Sequence, residues 1–439
     1  MISRSSDTIF AAASGFGRAA VTVVRISGPG TGTVLEAIAG GVPAQARRMS
    51  LRTLRDPGTA EPLDQALVVW MPGPHSFTGE DQAELQIHGG LAVRAAVLRA
   101  LARLEGCRPA EAGEFTRRAF LNGRMDLSRV EGLADLIDAE TEAQRRQALR
   151  QLEGRLGDAV EAWREEALQI LALLEAALDF SDEGDVPETL EREAAGRIGR
   201  LRGAVAGVLE QRGGERLREG FVVVLAGAPN AGKSTLLNAL AQREVAIVSP
   251  VAGTTRDAIE VRCDLGGLPV VVVDTAGLRD GTDPVEREGV ARARARAAAA
   301  DLVLWLVAPG ESPPPHRDGT RSLVVRTKAD LDAEAGGADL AVSARTGAGM
   351  ASLLERIATE ARLGLGGGDA VITRERHRAA FEAAEAALSR AGAILAAAGA
   401  TELAAEEVRL ATRAIGRVTG RVDVEDVLDR LFASFCIGK

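Results

Sequence analysis

The sequence contains few of the residues that form disulfides or structural metal sites. Among its 439 residues there are three cysteines, Cys107, Cys263 and Cys436, and four histidines. No two cysteines have the spacing of a zinc site, and the histidines add no cluster to them. We therefore expect a protein of the reducing cytoplasm that has no structural zinc.

The sequence also lacks long apolar runs and an excess of positive charge. No run of 18 apolar residues occurs, and the first ten residues do not join a basic start to an apolar stretch, so we expect neither secretion nor a membrane span. The net charge of −9 argues against a large positively charged surface for nucleic acid. Any nucleic acid would have to contact local basic patches or a partner's surface. The 46% of hydrophobic residues is enough to bury two or three cores in a multidomain protein.

A phosphate-binding loop is the clearest motif. Residues 227–234 read Gly-Ala-Pro-Asn-Ala-Gly-Lys-Ser, between a strand-like run at 221–226 and a helix-like run at 235–241. After a buried strand, the glycines let successive N–H groups point at one phosphate beside a helix N-terminus. Lys233 would neutralise the β- and γ-phosphate oxygens, and Ser234 would hold Mg²⁺. The motif predicts a nucleoside triphosphatase, and a chance glycine loop is the weaker alternative.

Two later segments predict that the base is guanine. Residues 327–330, Thr-Lys-Ala-Asp, follow an apolar run, and the carboxylate of Asp330 can accept both the N1–H and the 2-amino group of guanine. Adenine lacks this pair of donors, so one such carboxylate can discriminate by roughly 10⁴-fold. Residues 343–345, Ser-Ala-Arg, could supply a backbone N–H to the guanine oxygen. Each segment alone is typical of a solvated turn, but their order behind a phosphate loop indicates guanine recognition.

Two switch segments complete the set. The valine run at 270–273 predicts a strand buried on both faces, and it ends in Asp-Thr-Ala-Gly at 274–277. Asp274 would hold Mg²⁺ through water, and the N–H of Gly277 would meet the γ-phosphate and move away after hydrolysis. Between loop and strand, residues 252–257 carry threonines whose hydroxyls can reach the Mg²⁺. The five elements together predict a GTPase domain.

The hydrophobic periodicity divides the rest of the chain. Strand-like and helix-like runs alternate over residues 1–120, which predicts a small α/β domain. Apolar residues then recur at three- and four-residue spacing over 121–216 and again over 364–439, which is typical of helices that need partners. We expect an α/β and all-α multidomain protein in which a P-loop, Ras-like G domain at 217–363 is inserted into one discontinuous helical domain. A glycine-rich hinge at 364–368 would follow the G domain, and switch movements would pass to helices on both sides.

Over nearly its whole length the chain resembles the tRNA modification GTPases called MnmE or TrmE. Besides the GTPase motifs, the resemblance is carried by Val-Arg-Ile-Ser-Gly at 24–28, Phe-Thr-Gly-Glu-Asp at 77–81 with Glu-Leu-Gln-Ile-His-Gly-Gly at 84–90, Gly-Glu-Phe-Thr-Arg-Arg-Ala-Phe-Leu-Asn-Gly at 113–123, and the terminal Phe-Cys-Ile-Gly-Lys at 435–439. The terminal segment is the most specific, because many GTPases share the other nucleotide motifs.

The resemblance implies ion and water sites. In that family K⁺ takes the electrostatic role that many GTPases obtain from another protein's arginine. The resemblance implies K⁺ ligands at Asn230, Ser249, Val251 and Thr254, and Mg²⁺ ligands at Ser234 and Thr255. It also implies that the carboxylate of Glu286 orients the attacking water, although without the family Glu286 would be interpreted as a solvated helix residue. Dimerisation across the nucleotide faces would order the K⁺ loop. The motifs and the resemblance together imply nucleotide contacts from Asn230, Ala231, Gly232, Lys233, Ser234, Thr235, Ser249, Pro250, Val251, Ala252, Gly253, Thr254, Thr255, Asp274, Thr275, Ala276, Gly277, Thr327, Lys328, Ala329, Asp330, Ser343, Ala344 and Arg345.

The resemblance also implies a folate site in the N-terminal domain. A tetrahydrofolate derivative, in the 5-formyl or 5,10-methylene form, would contact Arg25, Glu84, Arg124 and Lys439, with a cation suited to a glutamyl carboxylate and a carboxylate suited to a pterin edge. Arg124 stands where the family often has lysine, and Thr327 where asparagine is commoner. Cys436 is either a small buried hydrophobe or a thiolate near the folate. The candidate catalytic residues are Lys233, Glu286 and Cys436.

The function that the resemblance implies is tRNA modification. A homodimer would join the FAD-dependent protein MnmG in a heterotetramer and add an aminomethyl or carboxymethylaminomethyl group to C5 of the wobble uridine of certain tRNAs. It would act in the cytoplasm, with no membrane and no DNA. The alternative is an RNA-binding switch GTPase of ribosome assembly. That alternative predicts an appended RNA module with a Gly-x-x-Gly loop, which the last 70 residues do not contain.

Overall fold

The chain divides into two compact units, an N-terminal unit of residues 1–134 with 416–439 and a larger unit of residues 135–415. The computed structural model describes residues 7–180, 186–243, 245–247, 260–274, 300–312, 321–332, 337–366, 370–397, 400–422, 425–433, 435 and 437–438.

The N-terminal unit is built on a six-stranded sheet. Its strands are β1 Thr8–Ala12, β2 Val21–Ser27, β3 Ser50–Arg55, β4 Pro62–Met71, β5 Gln82–His88 and β6 Cys107–Pro109. They lie in the order β3-β4-β5-β2-β1-β6, and all neighbours are antiparallel except β1 and β6. Helices α1 Thr31–Ala39 and α2 Leu91–Ala102 share one apolar core with the sheet.

The alternation of side chains along β2 and β5 decides which residues enter that core. Val24 and Ile26 on β2, and Leu85 and Ile87 on β5, are buried. Successive strand residues point to opposite faces, so Arg25 and Glu84 share the other face of the sheet. The two strands pair Arg25 directly with Glu84, which sets the two side chains next to each other.

The C-terminal residues pack into the same unit. Helices α3 Glu114–Leu121, α4 Leu127–Asp138 and α13 Glu425–Ala433 belong wholly or largely to it. Leu127 and Val130 of α4 bury against Phe432 and Phe435, and Ile437 forms an antiparallel bridge with Ala112. Apolar packing therefore fixes Phe432 and Phe435, and backbone pairing fixes Ile437, within this unit.

The larger unit contains a mostly parallel sheet. Its strands are β7 Phe221–Gly227, β8 Glu260–Asp264, β9 Pro269–Asp274, β10 Leu302–Val307, β11 Ser322–Arg326 and β12 Leu340–Ala341, in the order β12-β11-β10-β7-β9-β8. Among the strands described here, β8 runs antiparallel to β9, and the other neighbours are parallel. Every residue of β9 is buried, as its apolar run predicts. Since β7 lies between β9 and β10, the sheet order reverses there, where open α/β sheets bind ligands beyond the carboxyl ends of the strands.

The described part of the larger unit also contains helices. They are α5 Glu142–Leu152, α6 Arg155–Asp179, α7 Val186–Leu209, α8 Gly213–Glu219, α9 Lys233–Ala241, α10 Met350–Leu365, α11 Glu375–Ala396 and α12 Thr401–Thr419, whose last residues belong to the N-terminal unit. Helices α6, α7 and α11 pack side by side. Buried Leu156, Val160, Ile170 and Leu174 follow the predicted spacing on α6. The expected combination of α/β and helical architecture is confirmed.

One expected boundary differs from the structure. Helix α10 continues through Gly364 and Leu365, the first residues of the stretch at 364–368 that we expected to form a hinge. A Cβ atom on Gly364 would lie 2.6 Å from the ring of Phe221. The glycine here allows a helix to pass close to an aromatic ring, and packing outweighs the low helix propensity of glycine.

Candidate nucleotide-binding site

The phosphate-binding loop connects β7 to α9. Gly227 has φ +147° and Gly232 has φ +92°, both in the region that favours glycine, and Asn230 has φ +66°. A Cβ atom on Gly227 would lie 2.4 Å from the carbonyl oxygen of Leu306, so only glycine fits. Asn230 is exposed in the loop, where its side chain is accessible to an ion. A glycine-shaped loop that opens a helix is an anion-binding backbone.

Two side chains at the start of α9 point to phosphate and metal chemistry. The Lys233 ammonium donates to the carbonyl oxygens of Gly227 and Ala228 at 2.8 and 2.9 Å, and the residue is buried. The Ser234 hydroxyl donates to a carboxylate oxygen of Asp274 at 2.7 Å. Asp274 is 1% exposed at the end of β9. These are hard oxygen ligands of the type that Mg²⁺ prefers, close enough to serve one ion directly or through water.

The base end of the site is a cavity of about 250 Å³ at the carboxyl ends of β11 and β12. The Asp330 carboxylate lies at its edge. One of its oxygens accepts a hydrogen bond from the Ser343 hydroxyl at 2.7 Å, and the other accepts one from the Arg345 guanidinium at 2.6 Å. The Ser343 hydrogen bond, with help from the Arg345 charge, holds the pKa of Asp330 below its ordinary value. The cavity is lined by Gly232, Thr235, Leu236, Thr327, Lys328, Asp330, Leu331, Val342, Ala344 and Arg345.

Thr327 connects the two ends of the site. Its hydroxyl donates to the carbonyl oxygen of Ala231 in the phosphate loop at 2.7 Å, and the residue is 5% exposed. Threonine stands here where the family more often has asparagine, and its hydroxyl bonds the phosphate loop. This departure from the family therefore affects the contact between the base end and the phosphate end.

Several predicted site residues lie outside the described residues. These are Ser249, Pro250, Val251, Ala252, Gly253, Thr254, Thr255, Thr275, Ala276, Gly277, Glu286, Cys436 and Lys439. The structure brings together Gly232, Lys233, Ser234 and Asp274 at the phosphate end, and Thr327, Asp330, Ser343 and Arg345 at the base end. Sequence reasoning assigned only a backbone contact to residues 343–345 and missed both side chains as partners of Asp330.

A second candidate site lies in the N-terminal unit around Arg25. The guanidinium of Arg25 donates to the Glu84 carboxylate at 3.0 and 3.2 Å and to the carbonyl oxygen of Gly438 at 3.4 Å. Its central carbon lies 5.6 Å from the ring centroid of Phe77 and 5.8 Å from that of Phe115, within cation–π range. Both side chains of the ion pair are about one-fifth exposed. The site therefore joins a charged pair to two aromatic rings and to the residue before Lys439.

Arg124 lies beside the segment 77–81. A Cβ atom on Gly79 would be 3.2 Å from the Cγ atom of Arg124, so the arginine stem passes directly over this glycine. The Asn122 side chain donates to the carbonyl oxygen of Thr78 at 2.8 Å, which fixes the turn before Arg124. Sequence reasoning did not identify Phe77 or Phe115 as site residues. The only available signal was that both belong to segments shared with the family.

The cysteines that the structure describes are buried or half-buried. Burial raises the pKa of the Cys263 thiol to about 11 and that of Cys107 above its ordinary value. Among the described residues, no three His, Cys, Asp or Glu side chains group as metal ligands. None of the helices that the structure describes is long and apolar enough to cross a membrane.

Comparison with known proteins gives consistent matches over both units. Residues 8–124 match the model of the GTP-binding protein TrmE N-terminus, and residues 127–436 match that of the MnmE helical domain. The chain is 65% identical over 441 residues to the tRNA modification GTPase MnmE of Methylobacterium sp. strain 4-46, covering 99% of this chain and 100% of the relative. It is 64% identical to that of Methylorubrum populi, covering 99% and 98%, and 54% identical to that of Rhodospirillum rubrum, covering 99% of each.

Proposed function

From the premise that this chain belongs to the family of tRNA modification GTPases called MnmE, we propose that its GTP hydrolysis drives the modification of wobble uridine in certain tRNAs. The product carries an aminomethyl or carboxymethylaminomethyl group at C5. The active assembly is a cytoplasmic homodimer joined to the FAD-dependent protein MnmG in a heterotetramer. The observation that supports the proposal best is the single site that joins Lys233, Ser234 and Asp274 to the Asp330 cavity.

The side chains of this site suit the chemistry of GTP hydrolysis. Ser234, with Thr255, would hold a Mg²⁺ ion, which neutralises phosphate charge when it is bound. Lys233 reaches into the phosphate loop, where it would contact the β- and γ-phosphate oxygens. Asn230, Ser249, Val251 and Thr254 would hold K⁺. Glu286 would orient the attacking water, and Gly277 would report the loss of the γ-phosphate to the rest of the chain.

The Arg25 site suits a reduced folate. A tetrahydrofolate derivative bound there would supply the one-carbon unit, with Arg124 and Lys439 as further cations and Cys436 as a nearby thiol. Arg25 and Glu84 contact each other at 3.0 Å, so the pair acts on one edge of the ligand. A paired guanidinium and carboxylate offer donors and acceptors to a pterin edge, and Phe77 offers a ring face.

Mass spectrometry of tRNA nucleosides tests the modification. In cells that lack the protein, aminomethyl and carboxymethylaminomethyl groups should be absent from wobble uridine, and the wild-type gene should restore them. Asp274→Asn should fail to restore them, while Arg356→Ala, which removes an exposed arginine that pairs with Glu360 on α10, should succeed. Normal modification in the deleted cells, together with immature ribosomal subunits on a sucrose gradient, would support the ribosome-assembly alternative instead.

The salt dependence of turnover tests the ion site separately. GTP hydrolysis should be much faster in K⁺ than in Na⁺, because the smaller ion does not fit a cage built for K⁺. Asn230→Ala should remove this difference and leave nucleotide binding largely intact. Equal rates of the wild-type protein in the two salts would contradict the K⁺ role of Asn230.

A further inference from the structure

The contact between Arg345 and Asp330 lies where the guanine base is expected. Arg345 donates to one oxygen of Asp330 at 2.6 Å, while Ser343 donates to the other at 2.7 Å. Arg345 and Asp330 both line the base cavity. A guanidinium and the N1–H and 2-amino edge of guanine present the same planar pair of N–H donors. In this structure Arg345 therefore occupies, with one donor, a carboxylate oxygen that the base would need.

The partners of Asp330 differ in how firmly they are held. Ser343 is fully buried, and its hydroxyl is fixed beneath the carboxylate. The Arg345 side chain is 75% exposed, whereas that of Asp330 is only 13% exposed. An exposed arginine keeps most of its rotamer freedom and gains little from a single charge pair. Ser343 is thus a permanent orienting contact, and Arg345 is a contact that an incoming ligand can displace.

We propose that Arg345 is a placeholder for guanine, occupying Asp330 while the site is empty and leaving as a guanine nucleotide binds. This inference rests on the proposed role of Asp330 in guanine recognition. Arg345 satisfies the carboxylate when no nucleotide is bound, and it lowers the rate at which a base reaches Asp330. A base without a matched pair of donors does not replace the lost Arg345 contact. Arg345 therefore lowers the affinity for such bases as well as the association rate of guanine nucleotides.

Stopped-flow binding of a fluorescent GDP to the full chain tests the proposal. Arg345→Met keeps the apolar stem and removes the competing donors, so association should be about two- to fivefold faster, the size that an exposed charge pair is worth. Dissociation should be unchanged. Arg356→Met, which breaks an exposed charge pair away from the cavity, is the matched control and should leave both rates unchanged. The ratio of the Arg345→Met rate to the wild-type rate should fall toward one at high salt, which screens the competing pair.

Several outcomes overturn the placeholder, beginning with unchanged association in Arg345→Met. Slower association in Arg345→Met would assign the arginine to steering the nucleotide, and faster dissociation would assign it to holding the bound base. Asp330→Asn with xanthosine diphosphate separates these failures from failure of the guanine site itself. If Asp330→Asn prefers xanthosine diphosphate and Arg345→Met no longer changes association in that background, both roles are supported. If Asp330→Asn still prefers GDP, the role of Asp330 in guanine recognition is wrong and the placeholder fails with it.

Discussion

The nucleotide site of the larger unit and the Arg25 site of the N-terminal unit are built from the chain in different ways. The nucleotide site collects residues at or shortly after the carboxyl ends of β7, β9, β11 and β12, so each motif is a short continuous segment. The Arg25 site joins side chains 59 residues apart across two strands, and a carbonyl group 413 residues from Arg25. Parallel strands bring their carboxyl ends to one edge, whereas antiparallel neighbours bring together residues set by register.

The two sites also differ in burial. Lys233, Asp274 and Ser343 are at most 8% exposed, whereas the side chains of Arg25 and Glu84 are 19% and 23% exposed. The buried Lys233 ammonium bonds two backbone carbonyl oxygens of the phosphate loop, while the Arg25 pair is partly open to water. We therefore expect single substitutions to cost more at the phosphate end than at the Arg25 site.

Removal of the Ser234 hydroxyl should give the largest effect. Ser234→Ala takes away a proposed Mg²⁺ ligand and leaves the buried Asp274 carboxylate without this donor. We expect GTP turnover to fall by roughly 10²-fold or more, as when other groups that stabilise transition-state charge are removed. The measurement is steady-state phosphate release over a range of Mg²⁺ concentrations.

Thr359→Ala is the matched control for this variant. It removes a hydroxyl that bonds only to the backbone of α10, and turnover should remain at the wild-type level. If Ser234→Ala also keeps wild-type turnover and Mg²⁺ dependence, Ser234 is not a metal ligand. The contrast between a rigid phosphate end and a more open second site would then lose its main support.

The sequence predicts the nucleotide site better than the Arg25 site, because the first is built from short continuous segments and the second from the pairing of distant strands. Strands buried on both faces are continuous apolar runs, so β7 and β9 and the loops that follow them can be located from the sequence. The register that pairs Arg25 with Glu84 depends on contacts over the whole sheet. The approach of Phe77 and Phe115 to Arg25 has no local signal, and only the family resemblance indicated this region.

The C-terminal segment shows the same limit. Its apolar periodicity predicts helices, but not that Phe432 and Phe435 pack on Leu127 or that Ile437 pairs with Ala112. The continuation of α10 through Gly364 was missed because glycine reads as a break until the ring of Phe221 is known to lie against it. In each case a long-range contact decides the local structure.

Loss of the Arg25 guanidinium should have an intermediate effect, confined to the N-terminal unit. Arg25→Ala should weaken binding of 5-formyltetrahydrofolate by about 10- to 100-fold, the range expected for charge-assisted hydrogen bonds. Arg25→Lys should not restore it, because a point charge cannot bridge Glu84 and Gly438 as a planar fork does. Isothermal titration calorimetry measures both affinities.

The control for the Arg25 variants is Arg103→Ala, which breaks an exposed pair with Asp56 in the same unit and should leave folate binding unchanged. GTP turnover should stay at the wild-type level in all three variants, because their changes lie outside the nucleotide site. Equal folate affinity in Arg25→Ala and in the wild-type protein would remove Arg25 from the site.

The smallest expected effect concerns Thr327, at the joint between the two ends of the nucleotide site. Thr327→Val keeps the shape and removes the hydroxyl, so the carbonyl oxygen of Ala231 loses its donor. GDP should dissociate about fivefold faster, as expected for one buried hydrogen bond. Thr327→Asn restores a donor and should dissociate at a rate close to the wild type. Fluorescent-nucleotide release measures all three proteins.

The choice of base separates the two roles that Thr327 could have. If Thr327 acts through the phosphate loop, Thr327→Val should speed the release of GDP and of inosine diphosphate by the same factor, because the loop does not contact the 2-amino group. A direct contact with guanine would instead make the factor larger for GDP, since inosine lacks that amino group. A base-dependent factor would therefore return Thr327 to guanine recognition, and a base-independent one would keep it as the link between the Asp330 cavity and the phosphate loop.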